Sequence, residues 1–172
     1  MKFTTKLLLT WILIFLLFYL AVISIVALFW NIKIEFWQLA LVFIIAGVLP
    51  PAIITTFFYK KLDYMESQSS QPPSFKGGVS NVLSFKSRSK DYYNEVFQRI
   101  DRGFIISYSD KESGVVKFRT DSRILSWGVC GYIKLLEENN VLAIVYPMNP
   151  NSERETKLVH QSINLLKAVL NR

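Results

Sequence analysis

Two long stretches without a charged side chain constrain this chain more than any other feature. The first covers 24 residues, 7–30, and the second covers 23 residues, 36–58. As helices they would be roughly 36 and 34 Å long, which is enough to cross the hydrocarbon core of a bilayer. Because only residues 31–35 separate them, the sequence predicts an antiparallel two-helix transmembrane hairpin within residues 1–64.

Charges beside these stretches predict how the hairpin is oriented. Two lysines precede the first stretch and Lys60 and Lys61 follow the second, whereas the connection holds Lys33 and the acidic Glu35. Basic residues collect on the cytoplasmic side of membranes, so both termini are expected in the cytoplasm of a multi-pass protein in a bacterial inner membrane. The competing interpretation of residues 1–30 is a signal peptide, but the apolar stretch is too long and a second one follows.

A proline pair interrupts the second stretch. Pro50 and Pro51 cannot donate backbone hydrogen bonds, so we expect the helix to bend or unwind just after Ala46 and Gly47. A functional hinge is possible on this basis, and a kink tolerated by packing against the first helix is the favoured interpretation. Small side chains predict where the two helices pack: Ala21, Ser24, Ala27, Ala46 and Gly47.

The rest of the chain predicts a linker and one small domain. Residues 65–78 are rich in Ser, Gln, Pro and Gly, a composition typical of a flexible linker. Residues 79–172 are enough for a single hydrophobic core. Their patterns predict the order β-α-β-β-β-β-α, which indicates a two-layer α+β domain with an antiparallel sheet and helices on one face.

Local signals place the elements of this domain. Period-two alternation predicts strands at 79–86, 104–109, 115–119, 125–137 and 141–146. Apolar stripes predict one helix capped by Ser89 and a final helix that opens with a Ser152–Glu155 capping box. Gly128 and Gly131 predict a bulge or bend in the fourth strand.

Four short segments carry a resemblance to a known group of domains. They are Gly-Phe-Ile-Ile at 103–106, Asp-Lys-Glu-Ser-Gly at 110–114, Val-Val-Lys-Phe-Arg-Thr at 115–120 and Ser-Trp-Gly at 126–128. Over residues 79–170 the chain resembles small, uncharacterised bacterial α+β domains that occur alone or on lipid or membrane anchors. The resemblance implies fold and tethering but no catalytic residues. The chain departs from these domains at Val129 and at 147–150, where they carry an acid and a Gly/Asn-rich segment.

Few residues offer chemistry. The chain has one cysteine, Cys130, and one histidine, His160, which excludes a disulfide framework or a zinc site built from several Cys and His within one chain. It has no Gly-rich phosphate loop or nucleophile elbow. A Cys–His hydrolase is the enzymatic alternative, although a packed thiol and a solvent-facing imidazole are favoured. We therefore expect no enzymatic activity, no metal and no cofactor.

Basic side chains form the one candidate binding surface, in a chain of net charge +7. The first group comprises Lys117, Arg119, Arg123 and Lys134, and a second group near the domain's first helix comprises Lys86, Arg88 and Lys90. These residues predict binding to anionic lipid headgroups or to a small anionic ligand. The favoured alternative is a solvated face that keeps the domain soluble, and nucleic-acid binding is not expected.

Two functional hypotheses follow. The leading one is a membrane-anchored, non-enzymatic binding or adaptor module that presents the basic domain to a protein partner, a second copy of the chain or the lipid surface. The alternative is a membrane effector whose domain senses a small anionic molecule and controls the hairpin.

Overall fold

The structure, a computed structural model, describes residues 3–30, 35–87, 91–121, 128–137 and 139–171. The chain divides into two compact units, Met1–Asp63 and Tyr64–Arg172, which are described separately. The predicted fold class is confirmed: a hairpin of two long apolar helices precedes an α+β domain with an antiparallel five-stranded sheet.

The N-terminal unit is built from two helical arms. Helix α1 covers Phe3–Trp30; the second arm consists of α2, Phe36–Phe43, a π-helical turn, Ile44–Val48, and α3, Leu49–Glu66, whose last residues belong to the C-terminal unit. By length and composition, Thr4–Phe29 and Phe36–Glu66 are candidate membrane spans, and their most apolar windows are 0% and 11% buried. Apolar helices with so little buried surface suggest association with a membrane.

The second arm changes its hydrogen bonding next to the proline pair. Pro50 and Pro51 have no N–H to donate to the carbonyl four residues earlier, and the π-helical turn lies directly before them. Near this turn the two arms are joined, because the Tyr19 hydroxyl of α1 donates a hydrogen bond to the Leu39 carbonyl of α2.

The structure does not place the predicted small residues between the two arms. Four of the five are exposed: Ala21, Ser24, Ala27 and Ala46. Gly47 is buried, and an added Cβ would lie 2.6 Å from the Phe43 ring. Large side chains meet instead, since the rings of Tyr19 and Phe43 lie 5.5 Å apart. The rings of Tyr19 and Phe43 therefore provide a contact between the two arms.

The elements of the C-terminal unit follow the predicted order. They are β1 Val79–Ser84, α4 Tyr92–Asp101, β2 Ile105–Asp110, β3 Val115–Arg119, β4 Val129–Leu135, β5 Asn140–Pro147 and α5 Glu153–Leu170. The strands lie in the order β1-β5-β4-β3-β2, and every neighbouring pair is antiparallel.

Both helices of this unit pack on one face of the sheet. The core between them is aliphatic and aromatic, with strand residues Val116, Phe118, Ile133 and Ala143 against helix residues Val96, Ile100, Ile163 and Leu166. The alternation of apolar residues along the strands produces this layer, because every second side chain points to the same face.

The glycines of the fourth strand act differently from the prediction. The pairing of β4 has no register shift; the irregularity lies in β2, between Ile106 and Tyr108. Gly128 has φ +83° just before β4, and a Cβ added at Gly131 would lie 2.0 Å from the Phe118 ring. Gly131 therefore makes room for an aromatic core residue rather than bending the strand.

Ser152 caps α5 as predicted, but its capping box is not completed, and the cap of α4 differs from the predicted one. Ser152 caps α5, with its Oγ accepting from the Glu155 N–H, and the buried Glu155 carboxylate accepts from the Asn149 N–H. Asp91 is the N-cap of α4, because its carboxylate accepts from the Asn94 N–H. The predicted cap, Ser89, lies outside the described residues.

Candidate functional site

The face of the sheet opposite α4 and α5, called the outer face here, is covered by residues 64–75 of the same unit, called the strap. The Tyr146 hydroxyl donates to Met65 Sδ at 2.9 Å, and the Tyr132 hydroxyl donates to the Ser70 carbonyl at 2.7 Å. Both tyrosines are essentially fully buried. The strap therefore covers the part of the outer face where Tyr132 and Tyr146 lie.

The strap includes most of the segment predicted as a flexible linker, 65–78. Met65 and Glu66 are the last residues of α3, and Met65 is buried. The Phe75 ring lies 4.9 Å from the Tyr146 ring. At Met65 and Phe75 the segment packs on the sheet, so these positions are not part of a free, flexible linker.

Lys117 is the centre of the contact between the strap and the outer face. Its side chain is fully buried, at 0% exposure. Its Nζ donates to the Tyr64 carbonyl at 2.7 Å, to the Ser67 carbonyl at 2.9 Å and to the Ser67 hydroxyl at 3.2 Å. An ammonium has three N–H donors, so these three acceptors satisfy it completely.

Tyrosine rings complete the surroundings of this ammonium. Lys117 Nζ lies 4.1 Å from the centroid of the Tyr64 ring and 5.1 Å from that of Tyr108. Tyr108 and Tyr132 are its partners on the two neighbouring strands. The electron-rich faces of these rings stabilise a cation. Burial nevertheless lowers the pKa of Lys117 to about 8, because every contact named here is neutral and the ammonium has lost its water.

Arg119 lies two residues further along the same strand and face. It is half-buried, and burial lowers the pKa of its guanidinium, while the nearby Cys130, Asp121 and Glu66 act in the opposite direction. Glu66 belongs to the strap. The strap therefore presents carbonyl and hydroxyl oxygens to Lys117 and a carboxylate charge to Arg119.

The remaining predicted basic residues have different positions. Lys134 is exposed on the outer face, two residues from Tyr132. Lys86 is exposed after β1, and its carbonyl accepts a hydrogen bond from Arg99. Three predicted residues lie outside the described residues: Arg88, Lys90 and Arg123. Thus the structure brings Lys117, Arg119 and Lys134 to one face, but Lys117 is buried rather than solvated.

Cys130 and His160 are not brought together. Cys130 is buried on the outer face, with its Sγ 3.4 Å from Met148 Sδ. His160 is exposed on α5, which packs on the opposite face of the sheet. The thiol and the imidazole therefore do not form the hydrogen bond that a nucleophile–base pair needs. Among the described residues, no group of three or more His, Cys, Asp or Glu side chains could hold a metal ion.

Sequence reasoning missed the aromatic part of this site. Tyr108, Tyr132 and Tyr146 occupy the strand positions that alternate with the helix-facing core residues. Large aromatic residues on the supposedly solvated side of three of the five strands signal that something covers that side. The apolar Met65 and Phe75 in an otherwise polar segment are the matching signal.

On the helical side, a groove follows α5 and is called the α5 groove. It consists of two depressions of about 340 and 400 Å³ that share Gly103 and Leu165 as lining residues. Leu165 is 44% exposed. Arg102 lines the first depression and Arg154 the second, and both are exposed. The groove thus combines an exposed apolar side chain with two exposed guanidinium groups.

A scan against protein-family models gives no match to this chain, and no curated protein sequence matches it.

Proposed function

We propose that the chain is a membrane-anchored, non-enzymatic binding module of a bacterial inner membrane, with both termini in the cytoplasm. The two candidate spans support the anchor, and the lysines beside them support the orientation. The C-terminal unit presents the α5 groove to a protein partner.

One observation carries this proposal: the outer face of the sheet is already occupied by the strap. Lys117, Tyr132 and Tyr146 all bind strap residues, so the central residue of the predicted basic surface, Lys117, is used inside the unit. The helical side is left to meet a partner. Exposed apolar side chains beside arginines are typical of the centres of protein interfaces.

Site-specific photocrosslinking of the full-length protein in its native membrane tests this proposal. A photoreactive amino acid replaces Leu165 in one variant and Val82, which is 62% exposed on β1, in a matched control. We expect one discrete adduct with a different protein from position 165 and none from position 82. An adduct with a second copy of the chain would favour a homo-oligomer, and no adduct, or equal adducts from both positions, would contradict the proposal.

A second candidate function is a membrane effector that senses a small anionic molecule. Its supporting observation is that Lys117 binds Tyr64, in the last turn of the same arm that contains the π-helical turn and Pro50–Pro51. π-helical turns and prolines are places where helices bend. Thermal unfolding of the full-length protein with nucleotides and phosphorylated metabolites tests it, and no shift with any of them argues against a sensor.

A further inference from the structure

The strap presents oxygen acceptors and a negative charge to the outer face, as an anionic ligand would. Lys117 receives two carbonyl oxygens and one hydroxyl oxygen, and Arg119 experiences the charge of Glu66. On two of the strands beneath it, three cationic side chains share one face: Lys117, Arg119 and Lys134.

Neutral oxygens are a weak substitute for an anion at this position. Within the part of the chain that the structure describes, no carboxylate lies within ion-pair distance of Lys117. A buried cation whose partners are all neutral recovers only part of its desolvation cost. Phosphate-type oxyanions bind cations through charge-assisted hydrogen bonds, which are roughly twice as strong as neutral ones. Such a ligand would therefore bind Lys117 more favourably than the strap does.

The strap has the features of a segment that opens locally. Residues 67–75 of the strap contain no helix or strand, whereas residues 64–66 are the end of α3. Lifting residues 67–75 therefore breaks no regular backbone ladder. The contacts that hold them to the sheet are made by side chains of Lys117, Tyr132 and Tyr146. Segments with few such contacts open at a lower free energy than the core.

We propose that the strap is a releasable pseudo-ligand, which holds the place of a phosphate-type oxyanion that binds Lys117 and Arg119 when the strap lifts. This inference rests on the second candidate function for its class of ligand. It is independent of the α5 groove, so crosslinking at Leu165 and the experiment below can fail separately.

Cys130 is a built-in reporter of strap opening. It is the only cysteine of the chain and is 3% exposed. It pairs across the sheet with Tyr146, whose side chain Met65 and Phe75 contact. Because the strap covers this neighbouring tyrosine, we expect strap opening to expose the thiol as well, so that its labelling rate reports the fraction of open molecules.

The experiment measures Cys130 labelling in the full-length protein in micelles, at constant pH, with sodium pyrophosphate or with sodium chloride of equal ionic strength. An anion that binds only the open form raises the open fraction, and hence the rate, about tenfold at about ten times its Kd. We expect this rise in the wild type and in Lys157→Met, an exposed lysine of α5. We expect no rise in Lys117→Met.

Two results would overturn the inference. One is a wild-type rate that changes neither with pyrophosphate nor with phosphatidylglycerol vesicles; the other is an equal rise in Lys117→Met, which would show general ion binding. If Lys117→Met does not fold, Arg119→Gln replaces it, with a reduced rise expected and a full rise overturning the inference.

A further arm separates soluble from lipid phosphate, using vesicles of phosphatidylcholine with and without phosphatidylglycerol. A rise with pyrophosphate assigns a soluble ligand, and a rise with phosphatidylglycerol alone assigns a lipid headgroup. No rise in either case overturns the site.

Discussion

The Nζ atom of Lys117 lies 2.7 Å from the carbonyl oxygen of Tyr64, in the last turn of α3 and 53 residues earlier in the sequence. The last carbonyls of a helix have no intrahelical donor and carry partial negative charge. Lys117 is therefore a C-cap that a distant strand supplies to this helix. This role explains how a lysine at the centre of a strand is fully buried.

Replacing Lys117 by Met should change how stability depends on pH. The folded-state pKa is about 8 and the ordinary value is 10.5, so between these pH values the unfolded chain holds a proton that the folded one has released. The contribution of Lys117 to the free energy of unfolding should therefore rise with pH from about 8 to about 10.5, whereas the raised pKa values of the buried tyrosines act in the opposite direction near and above pH 10. In Lys117→Met this rise should be lost.

Urea unfolding of the full-length protein, followed by near-ultraviolet circular dichroism at pH 7.5 and 10, measures this effect. The matched control is Lys134→Met, at an exposed lysine of the same face, which should behave as the wild type. Equal pH slopes in the wild type and Lys117→Met would contradict the burial of the ammonium.

Replacing Gly131 by Ala should destabilise the C-terminal unit by about 1–3 kcal/mol, because the added methyl overpacks the core. Its Cβ would lie 2.0 Å from the Phe118 ring, whose centroid is 4.4 Å from that of Phe104. Gly103→Ala is the control, since its Cβ would make only ordinary contacts at 3.8 Å with Leu165 and Val169. The denaturant midpoints of the two variants are compared. Similar midpoints would argue against the close contact between Gly131 and the Phe118 ring.

Replacing Arg99 by Met should cost about 3 kcal/mol, the scale of breaking a buried ion pair. Arg99 is 7% exposed. Its guanidinium donates hydrogen bonds to the carbonyls of Leu170 and Lys86 and to the Glu95 carboxylate. It joins the ends of β1, α4 and α5. Arg102→Met, at an exposed arginine just after α4, should lie within about 0.5 kcal/mol of the wild type. Thermal unfolding measures both variants. An equal loss of stability in Arg99→Met and Arg102→Met would contradict the structural role given to Arg99.

Replacing Asn139 by Val should destabilise the β4–β5 turn by about 1–2 kcal/mol, because Asn139 has φ +59° and β-branched residues strain this region. Asn139→Gly should be neutral or slightly stabilising. Equilibrium unfolding of both variants tests the turn, and a tolerated valine would be inconsistent with this backbone conformation.

Local patterns predicted the order of elements because each strand and helix carries its own signal. Alternating Val116 and Phe118, the helical stripe of α5 and the turn at Asn139 are readable within a few residues of sequence. Helix length and apolarity similarly predicted the hairpin.

The covering of the outer face was not readable in this way. Lys117 alternates with core residues, so the local pattern assigns it to solvent. The segment that buries it is mostly Ser, Gln and Pro, a composition that elsewhere forms linkers. The contact depends on pairing between residues about 50 positions apart, and one-dimensional periodicity contains no information on such pairs.

The most direct test of the central claim, that the strap buries Lys117 on the outer face, is competitive acetylation of the full-length protein at pH 7.5. Mass spectrometry compares modification of Lys117 with that of Lys134, which is exposed on the same face. We predict that Lys117 reacts at least about tenfold more slowly, because reaction requires local opening of the strap. Equal reaction rates at the two lysines would contradict the account.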